Sequence, residues 1–211
     1  MTDASRRTKP NILVTGTPCV GKTATASLIA ERLHMHHLNV GSIISHHKCH
    51  LEFDEQLQTH VLDEDKLLDI LETTFDAEPE DSEDGQSRTR TSDHEEHGQN
   101  GQNAQGGIHG NLVADYHSCE LFPERWYDLV LVLRADTHVL YDRLKQRGYN
   151  ENKISQNVQC EIMQVVLDEA KESYAAEIVV ELTSNSIEDM EQNVDRVAQW
   201  YNQWKIDHAK T

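Results

Sequence analysis

The stretch GTPCVGKT, residues 16–23, restricts this chain more than any other feature. It matches G-x-x-x-x-G-K-[ST] at Gly16, Gly21, Lys22 and Thr23. NILVT precedes it, a short apolar run rich in β-branched residues, and TATASLIAERL follows with Leu28, Ile29 and Leu33 at helical spacing. A strand before and a helix after are the context this motif requires. The alternative, a chance match in a glycine-bearing turn, lacks that context. Consecutive backbone N–H groups in such a loop form a nest for anions. The helix N-terminus adds partial positive charge at the same place. Lys22 is placed to reach the outer phosphates of a nucleotide, and the Thr23 hydroxyl to ligate Mg²⁺. Cys19 lies inside the loop, either as a thiol activated by the helix N-terminus or as a tolerated small side chain.

A phosphate loop implies a parallel sheet, and the rest of the chain supplies one. NLVADYH (111–117), DLVLVLRAD (128–136) and IVVEL (178–182) read as further strands. Helices are expected at 63–75, 137–147, 157–176 and from Ser186 onward, with Asp63 and Asp136 as cap candidates. In the last helix Ile187, Met190, Val194, Val197 and Trp200 form the expected buried stripe. Alternation of strands and helices predicts an α/β three-layer sandwich built on a parallel sheet, in a single domain spanning 1–211. Residues 39–62 carry no clear period.

Residues 77–106 contain no large apolar side chain, and eight acids stand against two arginines. Such a segment cannot offset its ordering entropy by burial and reads as a disordered acidic insertion.

Across the 211 residues, 19 lysines and arginines face 37 acids, a formal charge of −18. That argues against a nucleic-acid grip, which needs a basic face, and suits a basic protein or a small anion in a local positive pocket. No run is long and apolar enough for a transmembrane helix, and the N-terminus lacks a signal-peptide apolar region. The four cysteines form no C-x-x-C pair and read as reduced thiols.

Two further constellations bear on chemistry. Asp115 ends its expected strand where phosphate-loop proteins place an acid near Mg²⁺, although a strand-end aspartate that merely caps is also common. His117, two residues on, shares its side if the strand continues, and reads either as a group that orients water or as a structural histidine. Arg143 and Arg147 share a helix face, placed either to neutralise a transferring phosphoryl group or as a solvated pair. His46, His47, Cys49 and His50 have ligand chemistry but not the two-pair spacing of a zinc site, so a solvated histidine-rich segment is expected.

Taken in order, GTPCVGKT, VLDEDKLLDILE, ADYHSCELFPERW, LVLVLRAD, RLKQRGYN and QCEIMQVV resemble the adenylate kinase isoenzyme 6 family, over about residues 10–208 without the insertion. The resemblance implies a P-loop kinase of adenylate kinase type with a monophosphate-binding segment at 39–62 and a short lid at 146–156. It implies nucleotide contacts at the loop residues Gly16, Pro18, Cys19, Gly21, Lys22, Thr23 and Ala24, with Arg143 and Arg147 on the phosphates and Ser186 in the loop against adenine. Asp115 and His117 match the acid and histidine linked to Mg²⁺ and ATP hydrolysis, so Lys22, Asp115, His117 and Arg147 are the expected catalytic set. The implied activity is ATP + AMP ⇌ 2 ADP with intrinsic ATPase activity, in a monomer of nucleus and cytoplasm. The implied partners are a small-subunit ribosomal protein and the pre-ribosomal particle. The alternative is an assembly switch with vestigial kinase activity. One departure stands out: Ser45 occupies the position where adenylate kinases place a basic residue on the AMP phosphate, with Lys48 three residues on.

Overall fold

The computed structural model describes residues 9–54, 59–76 and 110–209. The acidic insertion at 77–106 lies outside the described residues, as do positions 55–58 of the expected monophosphate segment.

Five strands form one parallel sheet: β1 (Ile12–Thr15), β2 (His36–Asn39), β5 (Leu112–Asp115), β6 (Leu129–Arg134) and β7 (Val179–Thr183), in the order β2-β5-β1-β6-β7. A separate antiparallel hairpin joins β3 (His50–Asp54) and β4 (Thr59–Leu62). The helices are α1 (Lys22–Leu33), α2 (Val40–His47), α3 (Glu64–Asp76), α4 (Thr137–Gln146), α5 (Glu151–Ile162), α6 (Val165–Ser173) and α7 (Ile187–His208).

The near-continuous apolar runs follow from burial on both faces. Strand periodicity then divides them. Ile12, Val14, Val113, Leu129, Leu131 and Leu133 pack on one side with Ile29 of α1, Leu140 of α4 and Val197 of α7. Leu13, Ala114, Val130 and Val132 pack on the other with Leu67, Leu71 and Phe75 of α3 and Leu167 of α6. The FPERW segment seals that second layer, its Trp126 ring stacked on Phe75 at 4.7 Å between centroids. The expected α/β three-layer sandwich is therefore present.

Four local expectations need correction. β2 adds a strand that its sequence does not announce, because HHLN is short and only partly buried; parallel pairing with β5 defines it. The strand at 111–117 stops at Asp115, so Tyr116 and His117 belong to the loop that follows. The single helix expected over 157–176 is two helices, broken where Gln164 adopts φ 58°, a left-handed conformation that halts helical hydrogen bonding. Ile187, in the first turn of α7, is 67% exposed; Tyr201 and Trp204 complete the buried stripe instead. Asp63 does cap α3 by accepting from Lys66 N, whereas Asp136 precedes α4 without a side-chain cap bond.

Candidate functional site

β1 lies between β5 and β6, where successive connections run to opposite sides. Open parallel sheets form their ligand crevice at the carboxyl ends of strands flanking such a point. The phosphate loop leaves β1 there. Gly16 has φ 142°, and a Cβ on it would stand 2.5 Å from the Leu133 carbonyl oxygen. Gly21 has φ 98° at the N-terminus of α1. Both therefore need to be glycine. Cys19 also has a positive φ, 71°, which is strained for a side-chain-bearing residue.

A cleft of about 840 Å³ opens over the loop. Pro18, Cys19, Gly21, Lys22, Thr23 and Ala24 form its floor. His117, Arg143 and Arg147 line its walls, joined by Gln146, Tyr149 and Lys153 from the expected lid. The structure thus brings together all the expected site residues except three. Gly16 opens the loop without lining the cleft, Asp115 is hydrogen-bonded to the Thr23 hydroxyl outside the cleft lining, and Ser186 is spent elsewhere. The Ser186 hydroxyl accepts from Asp189 N in a capping box that starts α7.

Lys22 Nζ donates to the carbonyls of Gly16 at 2.8 Å and Thr17 at 2.9 Å. Burial lowers its pKa to about 8, with Asp115 pulling the other way. The Thr23 hydroxyl donates to Asp115 Oδ2 at 2.7 Å. His37 Nε2 donates to Asp115 Oδ1 at 2.7 Å, and Asn39 Nδ2 reaches both carboxylate oxygens at 3.1 Å. His37 and Asn39 alternate along β2 on the face that Asp115 presents from β5. Neither was legible as a site residue, because that depends on cross-strand register. Two hard oxygen donors, one carrying charge, fit a small divalent cation such as Mg²⁺.

The imidazole of His117 is held below its usual pKa by burial, and secondarily by Lys22. It also lines a second cleft of about 780 Å³, bounded by His50, His60 and Leu62 of the hairpin and by Glu64 and Glu120. The two clefts meet at this ring. Among the described residues no lysine or arginine lines the second cleft. The Ser45 hydroxyl donates to the Gly41 carbonyl within α2, and Lys48 is the exposed C-cap of that helix. No three His, Cys, Asp or Glu side chains among the described residues converge as metal ligands.

The two arginines differ. Arg143 donates to the carbonyls of Ser184 and Asn185, both at 2.8 Å, and so braces the loop between β7 and α7. Arg147, the C-cap of α4, is exposed above the loop with Nη1 at 3.7 Å from Cys19 Sγ.

A protein from Dictyostelium discoideum, the adenylate kinase isoenzyme 6 homolog, is 42% identical over 94% of this chain and 95% of its own. The chain belongs to the adenylate kinase isoenzyme 6 family. Within that family, the Caenorhabditis elegans homolog is 41% identical over 99% of this chain and 98% of its own. The Saccharomyces cerevisiae homolog FAP7 is 38% identical over 97% and 88%. The family described as AAA domain matches residues 12–164. A shikimate kinase from Bacteroides thetaiotaomicron shares the fold at TM-score 0.50 and 12% identity, covering 90% of this chain and 97% of that one. This isoenzyme 6 family member is accordingly a phosphotransferase on a P-loop kinase fold. None of its described helices is long and apolar enough to cross a membrane.

Proposed function

We propose that this protein transfers the γ-phosphoryl group of ATP to AMP, giving two ADP, and hydrolyses ATP slowly when the acceptor is absent. The observation that carries the reading is His117, which lines both the phosphate-loop cleft and the second cleft. A donor and an acceptor bound one in each would meet at that ring.

Phosphoryl transfer needs little covalent chemistry, so positioning and charge neutralisation carry the rate. The loop amides and Lys22 hold the β- and γ-phosphates. Arg147 approaches from the lid side and neutralises charge on the transferring group. Arg143 acts through its brace on the loop at 184–185. Thr23 and Asp115 would hold Mg²⁺, which when bound offsets negative charge on the phosphate oxygens. Neutral His117 orients water or accepts its proton during hydrolysis. Closure of the 146–156 segment excludes water from the cleft.

A second reading is favoured by the acceptor cleft itself. With Ser45 turned to Gly41 and no lysine or arginine among the described lining residues, the acceptor phosphate lacks its usual partner. Weak acceptor binding turns the enzyme toward ATP hydrolysis as the reset step of an assembly factor. The charge of −18 suits capture of a basic small-subunit ribosomal protein during pre-rRNA maturation, in nucleus and cytoplasm. One assay decides: ATP consumption by pure protein with and without AMP. Strong AMP stimulation with ADP as sole product supports the kinase. Hydrolysis indifferent to AMP, with tight binding of a ribosomal protein, supports the switch.

A further inference from the structure

One buried acid takes no part in the chemistry above. Glu161, 2% exposed, lies at the C-terminal end of α5. Its Oε2 accepts from the Thr17 hydroxyl in the phosphate loop. Its Oε1 accepts from Arg134 Nε at 2.5 Å and Ala135 N at 3.1 Å, both at the end of β6. Arg134 Nη2 also donates to the Glu161 carbonyl at 2.8 Å. A carboxylate is tolerated at this depth only with such a full set of donors.

The same helix reaches the other side of the site. α5 begins in the expected lid, where Asn150 accepts from Lys153 N as its N-cap and Lys153 lines the phosphate cleft. Lys153 and Glu161 are eight residues apart on one helix, a span of roughly 12 Å. Thr17 is held at both ends as well. Its side chain is fixed by α5 and its carbonyl accepts from Lys22 Nζ. A peptide plane turned at Thr17 would redirect a loop amide away from the phosphate nest and withdraw a carbonyl from Lys22.

We propose that Glu161 is a positioning residue that locks the phosphate loop to the lid-bearing helix through Thr17, so that the anion nest is shaped before ATP arrives. The inference rests on the reading that this cleft holds the phosphates of ATP. Its signature is a loss of nucleotide affinity larger than the loss of turnover, since the lock orders the binding surface and touches no reacting atom.

The test uses the full chain and the variants Thr17→Val, Thr17→Ser, Glu161→Gln and the double Thr17→Val/Glu161→Gln. Affinity for Mg-ATP, KM, kcat and Tm are measured for each. If wild-type protein binds no Mg-ATP, the functional reading falls and the lock that rests on it falls with it. Given wild-type binding, Thr17→Val raises Kd and KM about tenfold, the worth of one charge-assisted hydrogen bond, and lowers kcat by a smaller factor. Thr17→Ser, which keeps the hydroxyl, restores affinity. The double variant loses no more than the worse single one, because Thr17 acts on the loop through Glu161 and not independently of it. The proposal is overturned if Thr17→Val melts lower yet binds ATP like wild type, if Thr17→Ser fails to rescue, or if the two effects simply add. Should Glu161→Gln fail to fold, the Val and Ser pair at Thr17 decides alone.

Discussion

The Thr23 hydroxyl and the Asp115 carboxylate, 92 positions apart in the chain, are joined by a hydrogen bond of 2.7 Å at the rim of the sheet. His37 and Asn39 hold that carboxylate from the neighbouring strand. Side chains that orient a metal ligand are often worth 10–100-fold in affinity or activity. His37→Phe should therefore raise the Mg²⁺ concentration needed for half-maximal activity by roughly tenfold, with little change in Mg²⁺-free ATP binding. A magnesium titration of wild type and variant checks this.

His117 stands where the two clefts meet, with its pKa held low by burial and by Lys22. It is neutral at neutral pH and available to a water molecule. His117→Ala should slow ATP hydrolysis by about two orders of magnitude, the usual scale for a positioned general base, while Kd for Mg-ATP changes less than about threefold. Single-turnover hydrolysis beside equilibrium binding separates the two quantities. Unchanged hydrolysis would remove His117 from the reaction.

Lys22 presents a different titration. Its pKa is lowered to about 8 because burial penalises its charged form. Phosphates in the cleft restore that charge, so the pKa rises on binding. Below pH 8 the lysine is already protonated and binding takes up little. Above pH 8 binding must take up a proton, and affinity for Mg-ATP falls as pH rises further. Calorimetry at pH 8.5 in two buffers of different ionisation enthalpy should show proton uptake that is absent at pH 6.5. Lys22→Ala should abolish both hydrolysis and transfer.

Cys19 occupies a left-handed position in the loop and is only partly buried, while Cys49 and Cys119 are buried and Cys160 is exposed. Two outcomes follow. Cys19→Gly should leave Tm unchanged or raise stability by up to about 1 kcal/mol, because glycine adopts this φ without strain, whereas Cys19→Val should destabilise by about 1 kcal/mol or more. In the native protein iodoacetamide should label Cys160 and Cys19, and saturating Mg-ATP should protect Cys19 alone. Peptide mass spectrometry after labelling reads this directly.

The features legible in the chain were those whose physics is local. The phosphate loop declares itself because backbone nest, lysine and hydroxyl lie within eight consecutive residues. β6 declares itself because LVLVLR is apolar on both faces, as a central parallel strand must be. Asp115 is readable as a candidate from its place at the end of a strand, and His117 from standing two residues beyond it.

What tertiary structure alone decided depends on register and on breaks. HHLN shows no period strong enough to announce a strand, yet pairing with β5 sets Asn39 opposite Asp115 and makes His37 and Asn39 part of the site. A turn at Gln164 divides one amphipathic pattern into two helices. Glu161 in sequence is an ordinary helix acid; only the approach of Thr17, Arg134 and Ala135 makes it a buried junction. Local stereochemistry sets which segments bind phosphate or become helix and strand, but contacts between residues far apart in the chain exist only once the sheet order has brought their elements together.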